Sequence, residues 1–167
     1  MKPNVKNLYV VTEKFEQFGI SYALGGSGLL YSLGLTTSVS DWDVMTEATK
    51  DSVMNALQNY EVEETISGDY PYGTEYKLLV HNKNPKVEII GRLAIHTNKG
   101  LCRMPSISVS EWNGIQVASP EVWYVAYALM NRKEKADLLL SFLKGKGANK
   151  ETIKILMNEP LSDEIIK

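Results

Sequence analysis

The sequence is nearly free of cysteine, since Cys102 is the only one among its 167 residues. One cysteine excludes a disulfide within the chain and fits a reducing compartment. No stretch approaches the roughly 20 consecutive apolar residues that a membrane helix needs. Residues 1–4 also lack the apolar run of a signal peptide. We therefore expect a cytoplasmic protein without a membrane partner, whose core forms by apolar packing alone.

A concentrated positive charge is missing as well. Lys and Arg number 18 against 20 Asp and Glu, for a formal net charge of −2. A nucleic-acid-binding domain usually presents a basic patch. The densest basic group, at Lys144, Lys146, Lys150 and Lys154, is more simply explained as a solvated helix end. Nucleic acid is therefore disfavoured as the main partner.

Apolar periodicity predicts an α+β fold, a mixed β-sheet flanked by helices with a helical C-terminal third. Residues 1–118 would form the α/β core. Ser119-Pro120-Glu121 is typical of a helix start, so residues 119–167 would form a helical extension packed on the core as one compact unit. Strands are predicted at 20–24, 42–45, 61–66, 76–80, 87–90 and 107–117, and helices at 4–18, 29–35, 50–59, 119–143 and 150–157.

Two aspartates separated by one residue, Asp41 and Asp43, belong to a predicted strand. Residues two apart on a strand point to the same side, about 7 Å apart along the chain. Two carboxylates on one face repel unless water, a proton or a cation intervenes, and Mg²⁺ prefers carboxylates together with phosphate oxygens. Alone, the pattern is more simply explained by a solvated strand end, and Glu61-Val62-Glu63 repeats it.

Two further elements narrow the interpretation. Gly25-Gly26-Ser27 lies where a strand meets a helix, a place where backbone N–H groups and the Ser27 hydroxyl could hold a phosphate. Glu88 stands in an apolar strand, where a charge is costly unless it is paired or metal-bound. Taken singly, the glycines could form an ordinary turn, and Glu88 could face solvent.

Together, these elements resemble the nucleotidyltransferase superfamily of the DNA polymerase β type. The resemblance is carried by Leu24-Gly25-Gly26-Ser27, then Asp41-Trp42-Asp43-Val44, then Val87-Glu88-Ile89. Residues 117–121 and 132–137 also look like the C-terminal helices of small bacterial members, related to abortive-infection and minimal nucleotidyltransferases. Where those relatives often carry a lysine in the helix after Ser-Pro-Glu, this chain has Tyr127, and Lys135 offers a comparable charge further on.

The resemblance implies transfer of a nucleoside monophosphate from a nucleoside triphosphate, such as ATP, to a hydroxyl. It implies a site for Mg²⁺ or Mn²⁺ at Asp41, Asp43 and Glu88, where Glu88 would also orient or deprotonate the acceptor hydroxyl. Gly25, Gly26, Ser27 and Lys135 would bind the nucleotide. The acceptor would be a small molecule, for example an aminoglycoside-like cation in an acidic cleft, or a protein.

Two alternatives stay open at the level of sequence. The same fold can serve as a catalytically silent nucleotide-binding or protein-interaction module, or the chain can belong to an unrelated α+β fold. Trp123 and Tyr127 are expected in the core. Tyr70 and Tyr72, which flank Pro71 in a polar loop, are candidates for stacking on a base.

Overall fold

The computed structural model describes residues 4–65, 73–80 and 86–159. Tyr70 and Tyr72 therefore lie outside the described residues. Within them the chain alternates between short helices and strands. The helices are α1 Lys6–Gln17, α2 Gly26–Ser32, α3 Lys50–Ala56, α4 Pro120–Leu129, α5 Lys133–Lys146 and α6 Lys150–Met157. The strands are β1 Ala23–Gly25, β2 Asp41–Thr46, β3 Val62–Thr65, β4 Tyr76–Val80, β5 Lys86–Gly91, β6 Ala94–Thr97, β7 Gly100–Arg103, β8 Ser108–Trp112 and β9 Ile115–Ala118.

A mixed sheet organises the described part of the chain, with seven strands in the order β3-β4-β5-β2-β1-β9-β8. Strand β2 runs parallel to β5 and antiparallel to β1, while β1 runs parallel to β9. The remaining neighbours, β3 with β4, β4 with β5 and β8 with β9, are antiparallel. A second sheet consists of the hairpin β6–β7. The central strands β2 and β5 thus lie side by side and point the same way.

Each face of the seven-stranded sheet carries its own apolar cluster. One cluster packs α1 and α3 against the sheet through residues such as Leu8, Phe15 and Leu57. The other packs α2, α4, α5, α6 and the small hairpin against the opposite face, through residues such as Trp123 and Leu139. Side chains alternate between the two faces along β2, so this strand contributes to both clusters. Trp42 and Val44 belong to the first cluster, and Met45 belongs to the second.

The predicted α+β class and the mixed sheet are confirmed, but the structure differs from the prediction most clearly at residues 94–103, 107–117 and 119–143. Residues 107–117 are a hairpin rather than one strand, because Asn113 and Gly114 adopt φ of 51° and 83°, the backbone that a two-residue turn requires. The hairpin β6–β7 was not predicted. The helix expected over 119–143 is broken at Asn131, whose φ is 61°. Among the described residues, no helix is both long enough and apolar enough to cross a membrane.

Ser119 starts α4 and gives a stability prediction. Its buried hydroxyl accepts a hydrogen bond from the backbone N–H of Val122 at 3.2 Å and donates one to Glu121 at 2.8 Å. Replacing an N-cap serine with alanine typically costs about 1 kcal/mol, and burial moves the cost toward about 2 kcal/mol. We expect Ser119→Ala to lower the free energy of unfolding in urea by that amount. Thr49→Ala, at the exposed cap of α3, should cost less, and equal losses would contradict this ranking.

Candidate active site

The sheet register brings the three predicted carboxylates together. Asp41 and Asp43 lie two residues apart on β2, and Asp43 is paired with Glu88 across the parallel β2–β5 neighbours. On the other side of β2, Gly25 is paired with Asp43. All three acids therefore point to the face of the sheet that α4 and α5 cover. The question that the sequence left open, whether Glu88 faces the aspartates, is answered by this register.

The acids line a pocket of about 230 Å³ between the sheet and the α4–α5 helices. The lining residues are Ser27, Ser40, Asp41, Asp43, Thr74, Lys77, Glu88, Ile90, Leu93, Trp123, Tyr127, Met130, Arg132 and Lys135.

Within the glycine turn, Gly26 is the residue that lies against the Asp43 carboxylate. Its φ is 58°, a left-handed conformation that favours glycine. A Cβ built on Gly26 would collide with the Asp43 carboxylate, with Asp43 Cγ only 3.1 Å away. Gly25 has a different reason to lack a side chain, because a Cβ there would strike the Trp123 indole. Ser27 ties this turn to β2, because its hydroxyl donates to the Asp41 carbonyl at 3.2 Å.

The helical wall contributes aromatic and basic groups. The Lys135 ammonium lies 5.5 Å from the centre of the Tyr127 ring, within range of a cation–π interaction. The Tyr127 and Trp123 rings are tilted against each other with centroids 5.3 Å apart. Both aromatic residues are buried, as predicted, and both also line the pocket. Burial raises the pKa of Tyr127, and the charge of Asp43 raises it further.

Asp43 is the electrostatic centre of the pocket. Burial raises its pKa from 3.8 to about 7, the charges of Glu88 and Asp41 add to the rise, and those of Lys77 and Lys135 oppose it. Folding thus favours the protonated form of the Asp43 carboxyl, because the group is buried and two further acids lie close to it. Either a proton or a bound cation would lower the free-energy cost of the negative charge at Asp43.

The raised pKa of Asp43 predicts how stability depends on pH. The folded state holds this proton more tightly than the unfolded chain does. Below about pH 4 both states are protonated, so Asp43 does not lower the free energy of unfolding. As the pH rises toward 7 the unfolded chain loses the proton first, and the free energy of unfolding falls. At about 1.4 kcal/mol per pKa unit, the loss is about 2 to 4 kcal/mol. Urea unfolding without divalent cations should show Asp43→Asn gaining stability over wild type across this window. A difference that does not change between pH 4 and 8 would contradict the shift.

Glu88 has a partner within the pocket. Its Oε1 lies 3.3 Å from Lys77 Nζ, and the two side chains are only 24% and 27% exposed. In the described ranges, no group of three or more His, Cys, Asp or Glu side chains is arranged to hold a metal ion. Asp41 and Asp43 are the two other carboxylates of the described pocket lining. They suit Mg²⁺, which is commonly bound by one or two carboxylates together with phosphate oxygens and waters.

Of the predicted site residues, the pocket lining includes Asp41, Asp43, Glu88, Ser27 and Lys135. Gly26 packs beside Asp43, whereas Gly25 packs against Trp123. Sequence analysis missed two basic residues of the lining, Lys77 and Arg132.

A signal was available for each of the missed residues. Lys77 is the one charged residue of the apolar run 76–80, which precedes the predicted Glu88 strand in the sequence and pairs with it in the structure. Arg132 follows Asn131, a residue type that often ends a helix. A basic residue next to such a break can turn toward a neighbouring cleft.

The sequence matches no protein-family model and no curated protein at a significant level. Among solved structures, it is similar to a protein of Thermotoga maritima assigned as a nucleotidyltransferase (20% identity, 83% of this chain and 91% of the other, TM-score 0.59). It is also similar to ANT(2'')-Ia in complex with adenylyl-2''-tobramycin (14%, 91% and 93%, 0.58) and to the lincomycin-bound lincosamide adenylyltransferase LnuA (16%, 84% and 99%, 0.55).

These similarities establish the fold. The chain has the nucleotidyltransferase fold, an α+β structure with helices in its C-terminal part, and this prediction is confirmed. The likeness extends over most of this chain and nearly all of each of the three structures. At 14–20% identity it speaks for the fold alone, and the chemistry has to be argued from the pocket.

Proposed function

We propose that this protein is a metal-dependent nucleotidyltransferase that moves a nucleoside monophosphate from a nucleoside triphosphate to a hydroxyl group. The observation that carries the proposal is the juxtaposition of Asp41, Asp43 and Glu88 on one face of two neighbouring strands. A glycine without room for a side chain lies beside Asp43. The arrangement is costly for the unliganded protein, as the raised pKa of Asp43 indicates, and binding a cationic group offsets this cost.

Asp41 and Asp43 would hold the metal, Mg²⁺ or Mn²⁺. Their hard oxygen donors and their crowded negative charge fit such an ion. When bound, a divalent cation neutralises charge on the phosphates and helps to orient them. Gly25, Gly26 and Ser27 would border the phosphates on the sheet side, and Lys135 with Arg132 would face them from the helices. Inclusion of Glu88 in the metal site, as the resemblance implies, would require it to leave Lys77.

The reaction joins the acceptor oxygen to the α-phosphorus and breaks the bond from that phosphorus to the bridging oxygen of the β-phosphate, so that pyrophosphate leaves. The acceptor hydroxyl gives up its proton, which Glu88 would receive. Transfer at phosphorus depends mainly on positioning and charge neutralisation. Acids and bases on opposing walls of the pocket can supply both.

A small molecule is the acceptor class that the similar structures favour, because ANT(2'')-Ia was seen with an adenylylated tobramycin and LnuA with lincomycin. ATP is accordingly the first donor to test. Modification of a protein, which suits the small size of the chain equally well, is the alternative. In either case, α4 to α6, packed on the sheet, would form with it one compact unit in the cytoplasm.

The experiment that tests the proposal is thermal unfolding with ATP, CTP, GTP and UTP, each with and without Mg²⁺. A ligand at about 100 times its dissociation constant stabilises a protein by about 2.7 kcal/mol. We expect at least one triphosphate to raise the melting temperature only when Mg²⁺ is present. That triphosphate would then be incubated with candidate acceptors, and pyrophosphate release measured. No shift with any of the four would remove the support for an enzyme and favour the silent module.

A further inference from the structure

The ion pair between Lys77 and Glu88 sets the charge of the proposed acceptor side of the pocket. Both residues lie on the face that carries Asp43, and β4 pairs Leu79, not Lys77, directly with Glu88. Lys77 therefore reaches Glu88 diagonally, from two residues along β4, and its ammonium lies 3.3 Å from Glu88 Oε1. Because about three quarters of each side chain is buried, water screens this pair less than an ion pair on the open surface.

The pocket as a whole is balanced rather than acidic. Its described lining residues include three acids, Asp41, Asp43 and Glu88, and three bases, Lys77, Arg132 and Lys135. A magnesium-bound triphosphate is itself a net anion, and Arg132 and Lys135 are the bases of the helical wall that would face it. Lys77 is on the sheet, where it is paired with the third carboxylate. An acidic cleft would suit a polycationic acceptor, but here Lys77 neutralises the negative charge of Glu88.

We propose that Lys77 is a specificity-determining residue that reserves Glu88 for a neutral hydroxyl and disfavours acceptors with an ammonium group beside the reacting oxygen. This inference rests on the proposed function. An acceptor ammonium would have to displace Lys77 or lie against its like charge, and such repulsive elements are a common source of specificity. A neutral hydroxyl meets no such conflict, because a carboxylate has about four lone-pair sites and one ammonium group has only three N–H donors.

The test measures the affinity for tobramycin, a polycationic aminoglycoside, by calorimetry, with and without Mg²⁺ and a non-transferable ATP analogue. We expect Lys77→Gln to tighten tobramycin binding about tenfold relative to wild type, because Glu88 is released. Lys77→Arg keeps the charge and should bind as weakly as wild type. The double variant Lys77→Gln/Glu88→Gln should lose the gain, since the released carboxylate is the group that attracts the cation.

Lys50→Gln is the matched control, because it breaks an exposed 3.1 Å ion pair with Glu64 outside the pocket. It should not tighten tobramycin binding. The inference is overturned if wild type binds tobramycin as tightly as Lys77→Gln, if the gain persists in the double variant, or if Lys50→Gln produces the same gain. Binding of the ATP analogue with Mg²⁺ to wild type, measured in the same experiment, tests the proposed function separately. The titration without nucleotide decides the role of Lys77 even if the analogue does not bind.

Discussion

Asp43→Asn is expected to abolish the stabilisation by Mg²⁺ and nucleoside triphosphate while making the unliganded protein more stable at pH 8. Asparagine has nearly the shape of aspartate but no charge, so the cost of burying a carboxylate beside Glu88 and Asp41, which raises the pKa of Asp43 to about 7, disappears. The same substitution removes one of the two proposed metal donors. We expect the variant to lose most of the about 2.7 kcal/mol that a near-saturating ligand provides, as measured by thermal unfolding.

The experiment should be run at pH 8, where wild-type Asp43 is largely ionised. Glu63→Gln is the matched control, since it removes one negative charge from an exposed position on β3 of the same sheet. Its nucleotide response should equal that of wild type. In Asp43→Asn, the stability of the unliganded protein should rise while the stabilisation by Mg²⁺ and nucleotide is lost. Simple misfolding would instead lower both quantities. A variant with an unchanged magnesium-dependent shift would remove Asp43 from the site.

Gly26→Val is expected to damage both the fold and the nucleotide site. Its Cβ would enter the space of the Asp43 carboxylate, and the positive φ of 58° is a conformation that a β-branched residue rarely adopts. Backbone strain alone costs about 1 to 3 kcal/mol, and the collision adds to it. We expect a loss of at least about 3 kcal/mol in urea unfolding, together with loss of the nucleotide-dependent shift in whatever fraction folds.

Gly34→Val provides the control for strain. Gly34 has a φ of 76°, and nothing lies within 4 Å of a Cβ placed there, so that variant carries the strain without the collision. It should lose less stability than Gly26→Val and keep the nucleotide response. Equal losses in the two variants would mean that the contact between Gly26 and Asp43 contributes nothing beyond backbone conformation.

The sequence predicted the acids of the pocket better than its bases. Asp41 and Asp43 were recognisable because the two-residue repeat of a strand is a local property. The pairing of Asp43 with Glu88 is not local, since it depends on β2 and β5 lying side by side in parallel. Glu88 was singled out by its position in an apolar strand, and its place beside the aspartates was implied by the resemblance of the combined pattern to a known family. Lys77 was missed because its role depends on the register between β4 and β5.

The missed boundaries have local causes that were available in the sequence. Asn113-Gly114 is a strong signal for a two-residue hairpin turn, yet the alternating apolar residues on both sides of it also fit one continuous strand. The end of α4 at Asn131 follows the same physics, because asparagine tolerates the left-handed conformation that closes a helix. By contrast, the packing of Trp123 against Gly25 joins residues about a hundred positions apart, and no local pattern predicts it.

The central claim, a divalent cation held with a triphosphate at Asp41 and Asp43, is tested most directly by electron paramagnetic resonance of Mn²⁺. Wild type and Asp41→Asn/Asp43→Asn are each titrated into Mn²⁺ at pH 8, with and without a non-transferable ATP analogue. The account predicts that wild type with the analogue removes more of the free Mn²⁺ signal than the analogue alone, and that the double variant does not. Equal uptake of Mn²⁺ by the two proteins in the presence of the analogue would contradict it.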